Sequence, residues 1–246
     1  MRFGVRCDFP DFFEDIREIE LAFFSVQDFL KLRIGDILKE VKKRDLEVVT
    51  IHAPNAKIHR AEEFKIVTEG CCILANRLGC NTIVLHPCFL KRGLTREDAV
   101  RILDEKITSI LEDYGVTLCW ETFINEHRLF RNPYEIYRFC AKRDFYGMCY
   151  DFSHIPDDQD QIVRQIREFK DFILVYHVSN REKTGEATGN PLNHIPIFSE
   201  KGILDFHKIF SVDLINPNSS LVLEYRKEFS RKLKEDLELL RRIFNQ

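Results

Sequence analysis

Short apolar segments alternate with longer amphipathic segments along the whole chain. Eight apolar segments have the length of a β-strand, and most are rich in β-branched or aromatic residues. They cover residues 2–7, 19–24, 47–52, 82–86, 116–121, 146–151, 172–178 and 220–224. Nearly continuous apolar strands are typical of parallel sheets that are buried on both faces. The pattern therefore predicts a parallel β-sheet covered by helices.

The intervening segments show helical spacing and signals for helix ends. Residues 61–78 place apolar side chains on one stripe, and Gly79 follows as a typical helix C-terminus. Thr95 is a suitable N-cap for a helix that runs to about Tyr114. Further helices are predicted to begin at Pro133 and to cover residues 157–170 and 228–244.

Eight strand–helix units in 246 residues match the size of an α/β protein with a (β/α)₈ TIM barrel, as a single domain over residues 1–246. An open doubly wound sheet is the alternative. It is disfavoured because Cys-Asp-Phe-Pro, rather than a glycine-rich phosphate loop, follows the first strand. The connection over residues 179–201 is long for a compact fold, which is typical of functional loops.

Composition and charge narrow the possible functions. The chain has 37 Lys+Arg and 40 Asp+Glu, and its net charge of −3 disfavours a dedicated nucleic-acid binder, which needs a basic excess. No apolar run reaches the length of about 18 residues that a membrane span requires. The N-terminus lacks the features of a signal peptide, so we expect a cytoplasmic protein. The 8 cysteines show no C-x-x-C spacing, which favours buried thiols over a cysteine zinc site.

Six consecutive predicted strands end in or near a histidine or a carboxylate. These residues are His52, His86, Glu121, Asp151, His177 and Glu224. The carboxyl ends of barrel strands open on one face, so we expect these side chains to converge at one mouth. Imidazole and carboxylate groups suit zinc, manganese or a similar divalent ion, and a bound cation offsets the cost of crowding charges. Each residue alone fits a structural hydrogen bond or ion pair, but six in succession favour a shared site.

On these residues the chain resembles the xylose isomerase-like TIM barrel superfamily. This superfamily joins sugar and sugar-phosphate isomerases and epimerases with nucleases of the endonuclease IV type (AP endonuclease family 2). The motifs that carry the resemblance are His52-Ala-Pro, His86-Pro, Glu121, Asp151-x-x-His154, His177, His194 with Gly-Ile-Leu-Asp205 downstream, and Glu224. They extend over essentially the whole chain in the family's order.

The resemblance implies a metal-dependent isomerase or epimerase that acts on a small sugar or sugar phosphate. The implied ligands of one divalent ion (zinc, manganese or cobalt) are Glu121, Asp151, His177 and Glu224. In ketose 3-epimerases the two matching glutamates also exchange the substrate proton, so Glu121 and Glu224 are the implied catalytic pair. The cation would stabilise the enediolate between the two proton transfers. The implied substrate contacts are His154, Lys183 and His194.

The same resemblance leaves an alternative open, a zinc phosphoesterase that acts on abasic DNA. The residues that match a second metal site of endonuclease IV are His52, His86 and Glu121. His154 and His194 match two ligands of its third zinc, but Leu192 stands where that site needs an aspartate. A non-catalytic barrel that binds a metal or ligand, or a different lyase or hydrolase chemistry, is the third hypothesis. The sequence does not indicate the oligomeric state.

Overall fold

A computed structural model describes residues 1–182, 193–210 and 214–244 of the chain. Its strands are β1 Arg2–Asp8, β2 Glu18–Ala22, β3 Glu47–His52, β4 Thr82–Leu85, β5 Thr117–Glu121, β6 Tyr146–Asp151, β7 Ile173–Val178, β8 Asn180–Arg181, β9 Asn193–Ile195 and β10 Ser220–Leu223. Its helices are α1 Val26–Lys31, α2 Ile34–Lys43, α3 Ala61–Leu78, α4 Arg96–Lys106, α5 Thr108–Tyr114, α6 Pro133–Cys140, α7 Gln159–Phe169, α8 Phe206–Ile209 and α9 Leu233–Phe244.

Eight parallel strands close into a barrel in the order β1-β10-β7-β6-β5-β4-β3-β2. The ring is closed by β1, which pairs in parallel with both β10 and β2. The remaining strands, β8 and β9, form a separate antiparallel pair beyond the carboxyl end of β7. The predicted (β/α)₈ barrel is therefore confirmed, and the open sheet is excluded. Among the described helices, none is long and apolar enough to cross a membrane.

The pleat of the barrel strands positions the polar residues at the mouth. A small buried cluster fills the barrel interior and consists of Val49, Val84, Cys119, Cys149, Val175 and Val222. Side chains two positions apart on a strand point to the same face, so the residue two positions after an interior residue also points inward. Glu121 follows Cys119, and Asp151 follows Cys149, in this way. His177 and Glu224 stand in the same relation to two interior valines.

Two of the cysteines, Cys119 and Cys149, belong to the cluster that fills the barrel interior. All eight cysteines are free and buried, which confirms the expectation of buried thiols. Burial raises the pKa of the Cys7 and Cys140 thiols to about 12, so these groups stay protonated and pack as small apolar side chains.

Most helix ends follow the sequence signals, with two differences. One is the helix predicted over residues 228–244, whose α-helical part begins at Leu233 because residues 227–232 form a 3₁₀ helix. Helix α3 ends at Gly79, which adopts the left-handed conformation with φ 74°, and Thr95 forms a capping box with Asp98 at the start of α4. The single helix predicted from Thr95 to Tyr114 is wrong, because it is divided into α4 and α5 at Ile107. There the Thr108 hydroxyl donates to the Leu103 carbonyl at 3.2 Å, a side-chain bond that competes with the helical pattern.

Candidate metal centre

Four predicted residues meet at the mouth of the barrel. Nδ1 of His177 lies 2.9 Å from Oε2 of Glu224 and 3.6 Å from Oε2 of Glu121. The same nitrogen lies 3.9 Å from Oδ2 of Asp151. Glu121, Asp151 and His177 are fully buried, and the side chain of Glu224 is 14% exposed. The structure thus brings the predicted quartet together around one ring nitrogen.

The quartet fits a divalent cation by a test that is independent of the sequence pattern. Four buried atoms of the quartet make no hydrogen bond of acceptable geometry, namely Oε1 of Glu121, Oδ2 of Asp151, Nδ1 of His177 and Oε2 of Glu224. The three oxygens nevertheless lie 2.9–3.0 Å from a ring nitrogen of His154 or His177. Buried polar atoms without partners are rare and costly. Three carboxylates and one imidazole are ligands that zinc, manganese and cobalt accept. Ligand atoms of Glu121, Asp151 and His177 lie within 4.8 Å of one another and could share one cation, whereas Glu224 lies near them through its contact with Nδ1 of His177.

A buried glutamate on β2 sets the orientation of His177. Nε2 of His177 lies 3.1 Å from Oε2 of Glu20, which is fully buried. When Nε2 donates its proton to this carboxylate, the lone pair of the ring is on Nδ1, the atom that faces the quartet. Glu20 was not predicted from the sequence. The available signal was a charged residue between Ile19 and Leu21 in the otherwise apolar segment 19–24.

We expect Glu20→Gln to lower the affinity of the chain for its divalent ion by about 10–100-fold, because the outer partner of a metal-binding histidine fixes its tautomer and basicity. Competition against a fluorescent chelator measures this affinity. The matched control is Glu18→Gln, on the same strand but at its partly exposed start, where Glu18 pairs with Arg241. Equal affinities of the two variants would contradict a role of Glu20 in metal binding.

A second group of metal-ligand type shares Glu121. Nε2 of His52 and Nε2 of His86 each lie 2.9 Å from Oε2 of Glu121. Nδ1 of His52 lies 3.2 Å from the Ala53 carbonyl, and Nδ1 of His86 lies 2.7 Å from Oδ1 of Asn55. If both Nδ1 atoms donate to these oxygens, both Nε2 lone pairs face the same carboxylate oxygen. This arrangement could hold a second cation, as the resemblance implied.

The predicted substrate contacts lie at the edge of the quartet. Nδ1 of His154 lies 2.9 Å from Oε1 of Glu121 and 3.0 Å from Oδ2 of Asp151. Nδ1 of His194 lies 3.2 Å from the hydroxyl of Ser153 and 4.0 Å from Oε1 of Glu224. Asp151, His154 and His194 also form a group of metal-ligand type. The third predicted contact, Lys183, lies outside the described residues, as does Leu192.

Protons and a metal ion would compete for these groups. Burial opposes the ionised form of Glu121, but the histidines at positions 86, 154 and 52 hold the pKa of its carboxyl well below the usual range. Burial likewise opposes protonation of His154, yet Asp151 and Glu121 raise its pKa to about 9. In the metal-free chain His154 therefore carries a proton that offsets the charge of these carboxylates. Binding of a cation would release this proton.

Arg6 on β1 is the second residue that the sequence interpretation missed. Its Nη1 lies 2.5 Å from Oε1 of Glu224, and its side chain is largely buried. Burial opposes the ionised form of Glu224, but Arg6, followed by His194 and His177, holds the pKa of this carboxyl well below its usual range. Arg6 thus keeps Glu224 ionised and fixes one of its oxygens, while the other faces His177.

A cavity of about 830 Å³ opens beside this centre. Glu224 and His194 line its inner side, and Arg6 lies at the same side. Phe12 and Phe13, in the segment between β1 and β2, line it with apolar surface. Its volume lies within the range of about 300–1,000 Å³ that small-molecule sites occupy. A small substrate in this cavity would reach the quartet directly.

Comparisons with known proteins agree with the architecture. Residues 7–243 match the family model described as xylose isomerase-like TIM barrel. No curated protein sequence matches the chain. Its structure is similar to that of a D-tagatose 3-epimerase-like protein, with a TM-score of 0.73 and 16% identity over 100% of this chain and 97% of that chain.

Two further solved structures represent other members of this fold. An AP endonuclease, family 2, from Brucella melitensis superimposes with a TM-score of 0.65 and 15% identity, over 91% of this chain and 92% of that chain. The IolI protein with a bound zinc atom superimposes with a TM-score of 0.65 and 13% identity, over 99% of this chain and 96% of that chain. At these identities the likenesses establish the fold and leave the reaction open.

Proposed function

The chain belongs to the xylose isomerase-like TIM barrel family, and we propose that it is a divalent metal-dependent isomerase or epimerase of a small sugar or sugar phosphate. The observation that carries this function is the placement of two glutamates on opposite sides of one candidate metal position. Glu121 ends β5 and Glu224 follows β10, and β6 and β7 lie between them in the barrel. Both carboxylates nevertheless reach Nδ1 of His177, at 3.6 and 2.9 Å.

Two carboxylates in this arrangement suit proton exchange on carbon. A bound divalent ion would polarise the carbonyl and the adjacent hydroxyl of a sugar and so acidify the neighbouring C–H. Glu121 and Glu224 would then flank the substrate, one taking the proton and the other returning one through an enediolate. Arg6 keeps Glu224 ionised, as a base requires, and His154 and His194 would hold substrate oxygens. Lys183 is the third proposed substrate contact.

Hydrogen exchange with solvent tests this function without knowledge of the exact substrate. The protein, loaded in turn with zinc, manganese and cobalt, is incubated in D₂O with a panel of ketoses and ketose phosphates. Proton NMR then follows the C–H beside the carbonyl. We expect deuterium to replace this proton in at least one sugar of the panel. A metal-loaded protein that exchanges none of them but cleaves an oligonucleotide with an abasic site would contradict the isomerase function.

The second candidate function is a zinc phosphoesterase of the endonuclease IV type. It is favoured by one specific observation, the approach of His52 and His86 to the same oxygen of Glu121, which a one-metal isomerase does not require. Two metal ions that share a carboxylate can clamp the attacking and leaving oxygens of a phosphodiester. Cleavage of an oligonucleotide with an abasic site is the matching assay.

The variant His86→Gln separates the two candidates. For the isomerase we expect the quartet to keep its ion and solvent exchange to change by less than about tenfold, because His86 lies outside the quartet. For the phosphoesterase, loss of a ligand of the second ion would remove activity. Metal content and exchange rate are measured on the same preparation, with His127→Gln, at an exposed position, as the control. Loss of exchange in His86→Gln alone would contradict the one-metal mechanism.

A further inference from the structure

A second cavity at the barrel mouth carries concentrated positive charge. It has a volume of about 420 Å³ and lies against the segments that follow β3 and β4. Its polar lining consists of Asn55, Lys57, His59, His86, Lys91 and Arg128. Among the described residues that line it, none carries a carboxylate. The larger cavity beside Glu224 differs, because its lining contains carboxylates (Asp8, Asp11, Glu14 and Glu224) as well as basic residues.

Carboxylates such as Glu63 and Glu121 act on the basic groups of this cavity only from a distance. Within the described ranges, Lys57, Lys91 and Arg128 form no ion pair with a carboxylate. The positive charges also affect a neighbouring histidine. Partial burial, together with Lys91, Arg60 and Lys57, lowers the pKa of His59. His59 is therefore neutral at pH 7 and offers a hydrogen bond rather than a further charge. A cavity of this kind attracts anions.

Arg128 is held rigidly at the wall of this cavity. Its guanidinium lies 4.3 Å from the ring centroid of Phe89 and 4.1 Å from that of Phe123. Its Nη1 donates to the Pro87 carbonyl at 2.7 Å, and its buried Nε has no partner. Burial lowers the pKa of Arg128, and the charge of Glu121 opposes this shift only in part. An anion nearby would offset this cost without reordering the side chain.

The cavity is joined to the candidate metal centre by shared side chains. His86 lines the cavity, and its Nε2 lies 2.9 Å from Oε2 of Glu121. The ring of Phe123 stacks on His154 with a centroid distance of 3.9 Å, and the same ring contacts the guanidinium of Arg128. The His86 side chain thus separates an anion in the cavity from Glu121 of the quartet. A single small molecule can span this separation, with its reacting carbon at the quartet and its charged end in the cavity.

We propose that this cavity binds the phosphate group of the substrate, so that the centre acts on a phosphorylated sugar. A phosphate monoester carries a charge of about −1.5 to −2 at neutral pH, which Lys57, Lys91 and Arg128 can neutralise. A nucleic-acid backbone would need basic groups spread along a track, whereas these three converge on one cavity. The identity of the substrate rests on the proposed isomerase function, but the anion site itself rests only on this cavity.

Calorimetric titration with inorganic phosphate tests the anion site. It is carried out on the chain freed of metal by a chelator, so that phosphate cannot bind through an ion. The test variant is Lys57→Met with Lys91→Met, and the control, Lys39→Met with Lys208→Met, removes the same charge from other exposed positions. We expect one phosphate per chain in the wild type and the control, and about tenfold or weaker binding in the test variant. All four lysines are exposed. We therefore expect both double variants to unfold at the temperature of the wild type, which checks that they are folded.

Equal phosphate affinity in the test variant and the control, or no binding in the wild type, would overturn the anion site. So would lysine-dependent binding of a DNA duplex without binding of inorganic phosphate, which would assign the cavity to a nucleic acid. The deuterium-exchange panel separates the two proposals. Phosphate binding without exchange of any sugar would support the anion site and contradict the isomerase. Exchange of unphosphorylated ketoses that is unaffected in the test variant would support the isomerase and overturn the phosphorylated substrate.

Discussion

The variant Glu224→Gln is expected to lower turnover by about 10²–10⁴-fold, the contribution that a positioned acid–base group makes to proton transfer. Glutamine keeps the size of the side chain, and its oxygen can still accept from Arg6, which lies 2.5 Å from Oε1 in the native centre. It cannot take a proton from carbon at neutral pH. The rate of deuterium incorporation into the substrate, together with kcat and KM, measures the effect.

Glu228→Gln is the matched control for this variant. Glu228 stands four residues further along the chain, is exposed, and pairs only loosely with Arg226 at 4.0 Å. We expect its turnover and thermal unfolding to equal those of the wild type. Glu224→Gln should keep the native fold, although loss of the ion pair with Arg6 is expected to lower its unfolding temperature. Full activity of Glu224→Gln would remove Glu224 from the mechanism.

The variant Asp151→Asn is expected to weaken metal binding by more than about 100-fold, since loss of an outer partner alone costs about 10–100-fold. One oxygen of Asp151, Oδ1, accepts from the backbone nitrogen of Ser153 at 2.7 Å and from its hydroxyl at 2.8 Å. The other, Oδ2, faces the quartet and lies 3.0 Å from Nδ1 of His154, without a hydrogen bond of acceptable geometry. Asparagine can keep the bonds to Ser153 and then turns an NH₂ group, which cannot bind a cation, toward the centre. Chelator competition measures the change.

Asp160→Asn makes the same substitution at an exposed position in the first turn of α7 and is expected to leave metal binding unchanged. This control excludes a general effect of lost negative charge. If Asp151→Asn bound metal as tightly as Asp160→Asn, the quartet would be assigned to the wrong residues. A loss of affinity confined to Asp151→Asn would support the quartet as the ligand set.

The barrel itself was predictable because its signals are local. Alternating apolar and amphipathic segments report burial on a parallel sheet, and residues such as Gly79 and Thr95 mark helix ends within a few positions. The division of the predicted helix at Ile107 was not predictable in this way. It depends on the Thr108 hydroxyl, which bonds back to Leu103 and also lies 3.1 Å from the hydroxyl of Tyr146, a residue distant in sequence.

The strand-end residues of the centre were found for a similar reason. A carboxylate or histidine that ends a buried strand is visible in the sequence, and the barrel brings all such ends to one face. Arg6 and Glu20 were missed because they lie within β1 and β2 rather than at the ends. They stand opposite each other in the register of these two strands. Their partners, Glu224 and His177, belong to distant strands, so only the closed barrel reveals the contacts.

The measurement that tests the metal centre most directly is elemental analysis of the chain, purified without chelators and without a histidine tag. We predict at least one zinc, manganese or cobalt ion per wild-type chain after extensive dialysis, and its loss in Asp151→Asn. A second ion in the wild type that disappears in His86→Gln would assign His86 to a second site. A wild-type chain that retains no divalent ion, even after reconstitution with each of the three metals, would contradict the metal centre and both candidate functions.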